Sequence, residues 1–204
     1  MPTQREILLA VEDLERHPAI EQVRLVGSRA RGTATAASDW DFAVETDDFP
    51  AVARDIGSVL ERLHPLAQQW DRLSTTACWM VIAPAPVKLD FIFGEPHESE
   101  PPWQPDRGNL AALDCHFWDW ALWLGSKRAR GATALVASEL AKLFEHLLRP
   151  IGVERSPGQL ADAVASYLAA RSRLERGFDI RVPRALGRAV ARELASHDEV
   201  TAPP

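Results

Sequence analysis

The sequence predicts an α+β fold, in which a small mixed β-sheet with helices is followed by an all-helical domain. Up to residue 93, helical and strand-like apolar periods alternate along the chain. The segment 94–108 then carries four prolines and two glycines, which marks a linker, and only helical periods follow it. We therefore expect a first domain over residues 1–96, a linker over 97–108 and a helical domain over 109–204.

The first domain contains two predicted helices and five predicted strands. The segment 3–16 has an amphipathic helical period, and Thr3 with Glu6 resembles a capping box at its start. A second helical period covers 51–63. Strand-like segments, with a short helical turn at 28–33 after the first of them, lie at 22–27, 39–46, 69–74, 78–83 and 87–93.

The second domain is predicted to consist of helices alone. Their apolar periods cover 109–126, 132–148, 158–173 and 184–197. The first of these helices carries Trp118, Trp120 and Trp123 within six positions. Because large aromatic side chains most often serve as packing groups, a helix buried on both sides is favoured over a base-stacking role.

Composition indicates a globular protein that needs neither disulfides nor a membrane. The 204 residues are 46% hydrophobic and 25% charged, which allows a proper buried core. No apolar run approaches the ~20 residues that span a bilayer, and the N-terminus lacks the apolar region of a signal peptide. We expect a cytoplasmic protein without a membrane partner.

Charge is distributed unevenly between the two halves. Residues 1–100 hold 9 Lys and Arg against 17 Asp and Glu, a net −8, and residues 101–204 hold 14 against 12, a net +2. Proteins that bind long nucleic acids usually show a pronounced basic surface, so this class of partner is not expected. An acidic first half instead favours a cationic small molecule.

The most informative segment is 27–44, which reads GSRARGTATAASDWDFAV. A predicted strand ends at Gly27 and Ser28, where free backbone N–H groups and a hydroxyl can bind phosphate. Asp39 and Asp41 follow on the next strand, and their side chains point the same way because side chains alternate with period two. Two carboxylates that close repel each other unless a divalent cation lies between them.

A third acid, Asp90, lies in the strand pattern VKLDFIF at 87–93. An isolated acid in an apolar strand is costly to desolvate unless something pairs with it. A metal ion would be such a partner. Three acids that hold two Mg²⁺ ions are the arrangement used for in-line attack on a nucleotide α-phosphate.

These residues together resemble a known family. The order of Gly-Ser, ten residues, Asp-x-Asp and a distant strand Asp is similar to that of the DNA polymerase β-type nucleotidyltransferase superfamily. The fuller string 27–44 most resembles its small bacterial members, namely the minimal nucleotidyltransferases and the aminoglycoside and lincosamide nucleotidyltransferases. The resemblance extends over about residues 20 to 94.

The resemblance implies an enzyme, a metal-dependent nucleotidyltransferase that moves AMP from ATP, or another NMP from its NTP, to a hydroxyl group. Pyrophosphate would be released. The acceptor would be a small molecule, with an aminoglycoside-like antibiotic as the leading candidate. The implied catalytic residues, which would also ligate two Mg²⁺ ions, are Asp39, Asp41 and Asp90, and the implied phosphate-binding turn is Gly27 with Ser28.

Other phosphate contacts have alternative interpretations. Arg29 and Arg31 both lie in the turn, where an arginine can either bind the triphosphate or brace the fold. Arg29 is slightly favoured as the phosphate ligand. Lys127 and Arg130 resemble a segment of streptomycin-type adenylyltransferases in which a lysine faces the nucleotide phosphates. Basic residues at the end of a helix also offset the helix dipole, and the two interpretations are evenly matched.

The general base is open at this stage. Asp90 is one candidate, and in some antibiotic-modifying relatives a carboxylate of the helical domain takes this role. Asp114, Asp119 and Glu139 are the corresponding candidates here.

Two alternative functions also remain. One is nucleotidyl transfer to a protein or tRNA partner, as in antitoxin-like minimal nucleotidyltransferases, and the other is a non-catalytic nucleotide-binding module. The helical extension favours a small-molecule acceptor over the former, and the three retained acids argue against the latter. Several relatives of this kind form homodimers.

Overall fold

The computed structural model describes residues 3–35, 38–100 and 103–201, with side chains described as far as residue 196. The chain divides into two compact units, Met1–Ser99 and Glu100–Pro204. The first unit contains a five-stranded mixed sheet with helices and the second is helical, which confirms the predicted α+β class. Residues 101 and 102 of the predicted linker lie outside the described residues.

Among its described residues, the first unit contains three α-helices and five strands. In chain order they are α1 (Gln4–Glu15), β1 (Ile20–Val26), α2 (Gly27–Ala30), β2 (Trp40–Thr46), α3 (Phe49–Val59) with a 3₁₀ turn (Leu60–Leu63), β3 (Ala67–Trp70), β4 (Thr76–Ala83) and β5 (Val87–Pro96). Strand β3 ends earlier than the predicted 69–74, because the carboxylate of Asp71 accepts the Leu73 N–H at 2.8 Å and turns the chain.

Helix α1 begins at the predicted capping box. The Glu6 N–H donates to the Thr3 hydroxyl at 3.2 Å, and the Thr3 N–H donates to the Glu6 carboxylate at 2.6 Å. Two N–H groups that the helix itself cannot satisfy are thereby bonded. The helix can then present Ile7 and Leu14 to the core, where both are buried.

The sheet has the strand order β1-β2-β5-β4-β3. Strands β2 and β5 are parallel, whereas the other neighbouring pairs are antiparallel. Apolar side chains from the sheet form one buried cluster with side chains of α1 and α3, including Phe42, Phe91 and Ile56. Because side chains alternate along a strand, the residues between the core positions of β2 and β5 project from the opposite face.

The second unit contains the four predicted helices. They are α4 (Leu110–Ala129), α5 (Thr133–Leu143) with a π-helical turn (Phe144–Leu148), α6 (Leu160–Phe178) and α7 (Ala185–Thr201). Throughout the described part of the chain, no helix is both long and apolar enough to span a bilayer.

Helix α4 is buried on most sides, and a buried carboxylate near its start bonds to side chains of α4 and α6. Asp114, which is 2% exposed, accepts from the Tyr167 hydroxyl at 2.6 Å, the Arg171 Nη1 at 2.5 Å and the Trp118 Nε1 at 3.3 Å. Burial, and then the negative charge of Asp114, raise the pKa of the Tyr167 hydroxyl well above its ordinary value, so it remains a donor. The Phe117 ring stacks on the Tyr167 ring with 3.7 Å between the ring centroids. These aromatic residues of α4 and α6 therefore serve as packing groups.

Helix α7 approaches this cluster at a glycine. An ideal Cβ placed on Gly187 would lie 2.8 Å from the Trp118 ring. We expect Gly187→Ala to lower the free energy of unfolding by about 1–3 kcal/mol, since the ring of a buried tryptophan has little room to shift. Urea unfolding followed by circular dichroism measures this change.

Gly177→Ala on α6 is the matched control, because a Cβ there meets nothing within 4 Å. Alanine is the better helix former, so this variant should be neutral or gain up to about 1 kcal/mol. Equal unfolding midpoints for the two variants would contradict the close approach of α7 to Trp118.

Candidate active site

The turn that follows β1 is built on a glycine. Gly27 has a φ of +66°, and an ideal Cβ on it would lie 2.1 Å from the Asp41 Oδ2. The preceding residue, Val26, is the register partner of Asp41 in the antiparallel β1–β2 pair. Asp41 therefore packs directly against the predicted phosphate-binding turn, and only glycine leaves room for it.

Two of the three predicted acids lie side by side in the sheet. In the parallel β2–β5 pair, Asp41 is the register partner of Asp90, so both side chains project from the same face. Both are partly buried. Two partly desolvated carboxylates at neighbouring positions repel, so this pair requires positive charge nearby.

One positive charge comes from β5 itself. The Lys88 Nζ donates to the Asp90 Oδ1 at 2.8 Å. Lys88 is buried, with 8% of its surface exposed. The two residues are two positions apart on one strand and therefore share a face. Sequence reasoning did not identify Lys88 as a site residue, although its spacing from Asp90 was the signal that could have found it.

The remaining predicted acid, Asp39, lies one residue before β2 and is partly buried. Among the residues described, no group of three or more His, Cys, Asp or Glu side chains is arranged to hold a metal ion. Like-charged carboxylates repel, and Asp41 packs on Gly27 while Asp90 bonds to Lys88. The convergence of Asp39 with the other two acids stays a prediction.

Arg29 braces the segment that leads into β2. Its Nη2 donates to the Ser38 carbonyl at 2.6 Å and its Nε to the Asp39 carbonyl at 3.1 Å. The guanidinium also lies over the Trp40 ring, 4.1 Å from its centroid. Of the two interpretations of this arginine, the structure supports the fold-bracing one. A phosphate contact by Arg29 stays a prediction.

The rest of the turn is closed by backbone bonds. The Thr33 N–H donates to the Ser28 carbonyl at 3.0 Å, and Ser28 itself is partly buried. Arg31 is exposed and follows α2 directly. The phosphate contact predicted for the Ser28 hydroxyl stays a prediction.

Lys127 and Arg130 belong to the second unit and lie at the end of α4. The Lys127 Nζ is 4.9 Å from the centroid of the Trp123 ring, which is a cation–π contact. Arg130 caps the helix and is exposed. Their positions suit both interpretations, phosphate binding and compensation of the helix dipole, and their role stays a prediction.

A family model described as a nucleotidyltransferase domain matches residues 5–76. The first unit therefore contains a nucleotidyltransferase domain over residues 5–76. This confirms the resemblance inferred from the Gly27–Val44 segment and supports a transferase activity. The matched segment includes the turn, Asp39 and Asp41 and ends before Asp90, so the sheet register is what connects Asp90 to the matched segment.

Solved structures show two distant similarities. An aminoglycoside 6-adenyltransferase from Bacillus subtilis aligns over 95% of this chain and 97% of its own, at 11% identity and a TM-score of 0.40. The polymerase core of TRAMP, a RNA surveillance complex, aligns over 98% of this chain and 59% of its own, at 15% identity and a TM-score of 0.34. A search of curated proteins gives no match.

The contact between Gly27 and Asp41 can be tested against a second glycine. Gly32 has nearly the same backbone, with a φ of +69°, but a Cβ there meets nothing within 4 Å. We expect Gly32→Ala to cost about 1–2 kcal/mol, the price of a left-handed backbone alone. Gly27→Ala should cost at least about 1 kcal/mol more, because it also displaces the Asp41 carboxylate. Thermal unfolding of both variants gives the difference, and equal costs would refute the contact.

The bracing role of Arg29 makes a separate prediction. Arg29→Met leaves the Ser38 and Asp39 carbonyls without this donor and should cost about 1–3 kcal/mol of stability, the range for hydrogen bonds to charged groups. Arg31→Met, on the exposed neighbour, should change stability by less than about 0.5 kcal/mol. Chemical denaturation measures both. A stability loss in Arg31→Met that matches the loss in Arg29→Met would exclude the brace.

Proposed function

We propose that this protein is a Mg²⁺-dependent nucleotidyltransferase that transfers an NMP, AMP from ATP in the leading form, to a hydroxyl of a small-molecule acceptor. The observation that carries the proposal is the in-register pairing of Asp41 with Asp90 beside the Gly27 turn. Two carboxylates on one sheet face, next to a tight glycine turn, suit a nucleotide's metal-bound triphosphate.

The donor set fits magnesium. Carboxylate oxygens are the protein ligands that Mg²⁺ prefers, and the Asp41–Asp90 pair presents carboxylates on adjacent strands of a rigid sheet. In this proposal Asp39 and Asp41 would hold the ion that accompanies the nucleotide. Asp39, Asp41 and Asp90 together would hold a second ion. When bound, the ions would neutralise the triphosphate and lower the pKa of the acceptor hydroxyl.

The chain's own residues have two tasks in this proposal. The turn at Gly27 and Ser28 binds the β and γ phosphates. Arg29 holds the carbonyls at Ser38 and Asp39 and thereby positions the acids. Positioning and electrostatic stabilisation provide nearly all of the rate in phosphoryl-type transfer, so rigid placement of these groups is what the fold must supply.

We assign the proton-accepting role to Asp90 rather than to Asp114, a candidate in the second unit. Asp114 is buried and accepts from three donors, so a further proton on it would break a core network. Asp90 lies on the same sheet face as Asp41, where an acceptor hydroxyl would approach the metal-bound nucleotide.

The acceptor class follows from charge. Residues 1–100 carry a net −8, which attracts a cationic molecule and disfavours long nucleic acid. An aminoglycoside-like antibiotic is cationic and carries many hydroxyl groups. In this proposal the protein acts in the cytoplasm and its biological role is antibiotic resistance.

The test is a labelling assay with the full chain. The protein is incubated with Mg²⁺ and with ATP radiolabelled at its α-phosphate. Parallel reactions add a panel of aminoglycosides and lincosamides, tRNA, or a cell lysate. Label on a small molecule is the expected result. Label on RNA or on a protein band would replace the acceptor class, and no label in any arm would overturn the transferase proposal.

The acid pair provides the sharper prediction. We expect Asp41→Asn and Asp90→Asn each to slow transfer by at least ~100-fold, the scale for removing a key electrostatic group. Glu45→Gln is the matched control, since Glu45 lies exposed on β2 and four residues after Asp41. It should retain near-wild-type turnover. Comparable turnover in either Asp variant and the control would remove these acids from the site.

A further inference from the structure

A buried lysine stands next to the acid pair. Lys88 is 8% exposed, and its Nζ contacts the Asp90 Oδ1 at 2.8 Å. Its register partner on β4 is Ile82, and the register partner of Asp90 is Met80. Both of these apolar residues are almost fully buried. The ammonium group therefore meets the carboxylate in apolar surroundings, where charge interactions are strong.

The position of Lys88 relates it to both acids. Asp41, Asp90 and Met80 form one row across three adjacent strands, and Lys88 lies on the same sheet face, two residues before Asp90. A buried lysine is costly to desolvate, so its retention indicates a compensating charge. The two partly buried carboxylates need a positive charge in turn. One ammonium group satisfies both requirements.

We propose that Lys88 is a positioning residue that serves as the resident counter-cation of the Asp41–Asp90 pair. It holds Asp90 in place beside Asp41, and a divalent cation competes with its charge for the same acids. This inference rests on the proposed function, because it assigns Asp41 and Asp90 to metal binding. Lys88 does not touch the nucleotide or the acceptor in this scheme.

The role predicts opposite effects on stability and on metal affinity. Without divalent ions, Lys88→Met removes the positive charge that contacts Asp90, so the Tm falls. The same change removes a competing positive charge, so the acids bind a divalent cation more tightly. A lysine that served only to pack the sheet would lower the Tm without improving metal affinity.

The experiment uses the full chain and Mn²⁺ alone as the probe. Free Mn²⁺ is followed by electron paramagnetic resonance, and Tm is measured in EDTA and in excess Mn²⁺. We expect Lys88→Met to bind Mn²⁺ about tenfold more tightly than wild type, as expected when a like charge a few ångströms away is removed. Its Tm should fall in EDTA and recover in Mn²⁺ by more than that of wild type.

Two variants serve as controls. Lys88→Arg retains the charge and should keep the wild-type Mn²⁺ affinity. Arg24→Met removes a charge from an exposed pair on the neighbouring strands, where Arg24 lies 3.4 Å from Glu45, and should also leave the affinity unchanged. A Lys88→Met protein with unchanged or weaker Mn²⁺ affinity would overturn the inference.

The double variant Lys88→Met/Asp90→Asn protects the test against a folding failure. If Lys88→Met does not fold but the double variant does, the lysine is needed only when position 90 is charged, as proposed. If both fail, Lys88 is a packing residue and the inference is wrong. If wild type binds no Mn²⁺, the proposed metal-dependent function is wrong. If wild type binds Mn²⁺ as tightly as Lys88→Met does, only the inference about Lys88 is wrong.

Discussion

The candidate site depends on the parallel pairing of β2 with β5. This register places Asp41 opposite Asp90, and a slip of one residue would send one acid into the apolar core. The core side holds the register, since Phe42 pairs with Phe91 and their rings stack at 5.2 Å. Burial of the aromatic rings on one face therefore determines where the carboxylates lie on the other.

Around this pair, the groups that shape the site act by position rather than by reaction. Gly27 contributes the absence of a side chain, which lets Asp41 approach the turn. Arg29 fixes the carbonyls that precede β2. Lys88 places a positive charge on Asp90. A candidate site built this way is preorganised, because these charged groups are held in place by the fold itself.

The second unit shows how burial changes the meaning of an acidic residue. From the sequence, Asp114 is a candidate proton acceptor on a tryptophan-rich helix. In the structure it is the buried acceptor for three donors, including Tyr167 and Arg171. Removing one partner from such a network leaves buried charge uncompensated, which is costly. Asp114 therefore stabilises the fold of this unit.

The sequence by itself determined the element types, the break near residue 100 and the nucleotidyltransferase motif, because periodicity, capping and turn chemistry are local properties. It also indicated Asp41 and Asp90 as site residues. Only the tertiary structure decided that these two are register partners, that Arg29 bonds to the chain before β2, and that Lys88 is buried against Asp90. Strand pairing and burial join residues that are distant in sequence, and no local pattern specifies them.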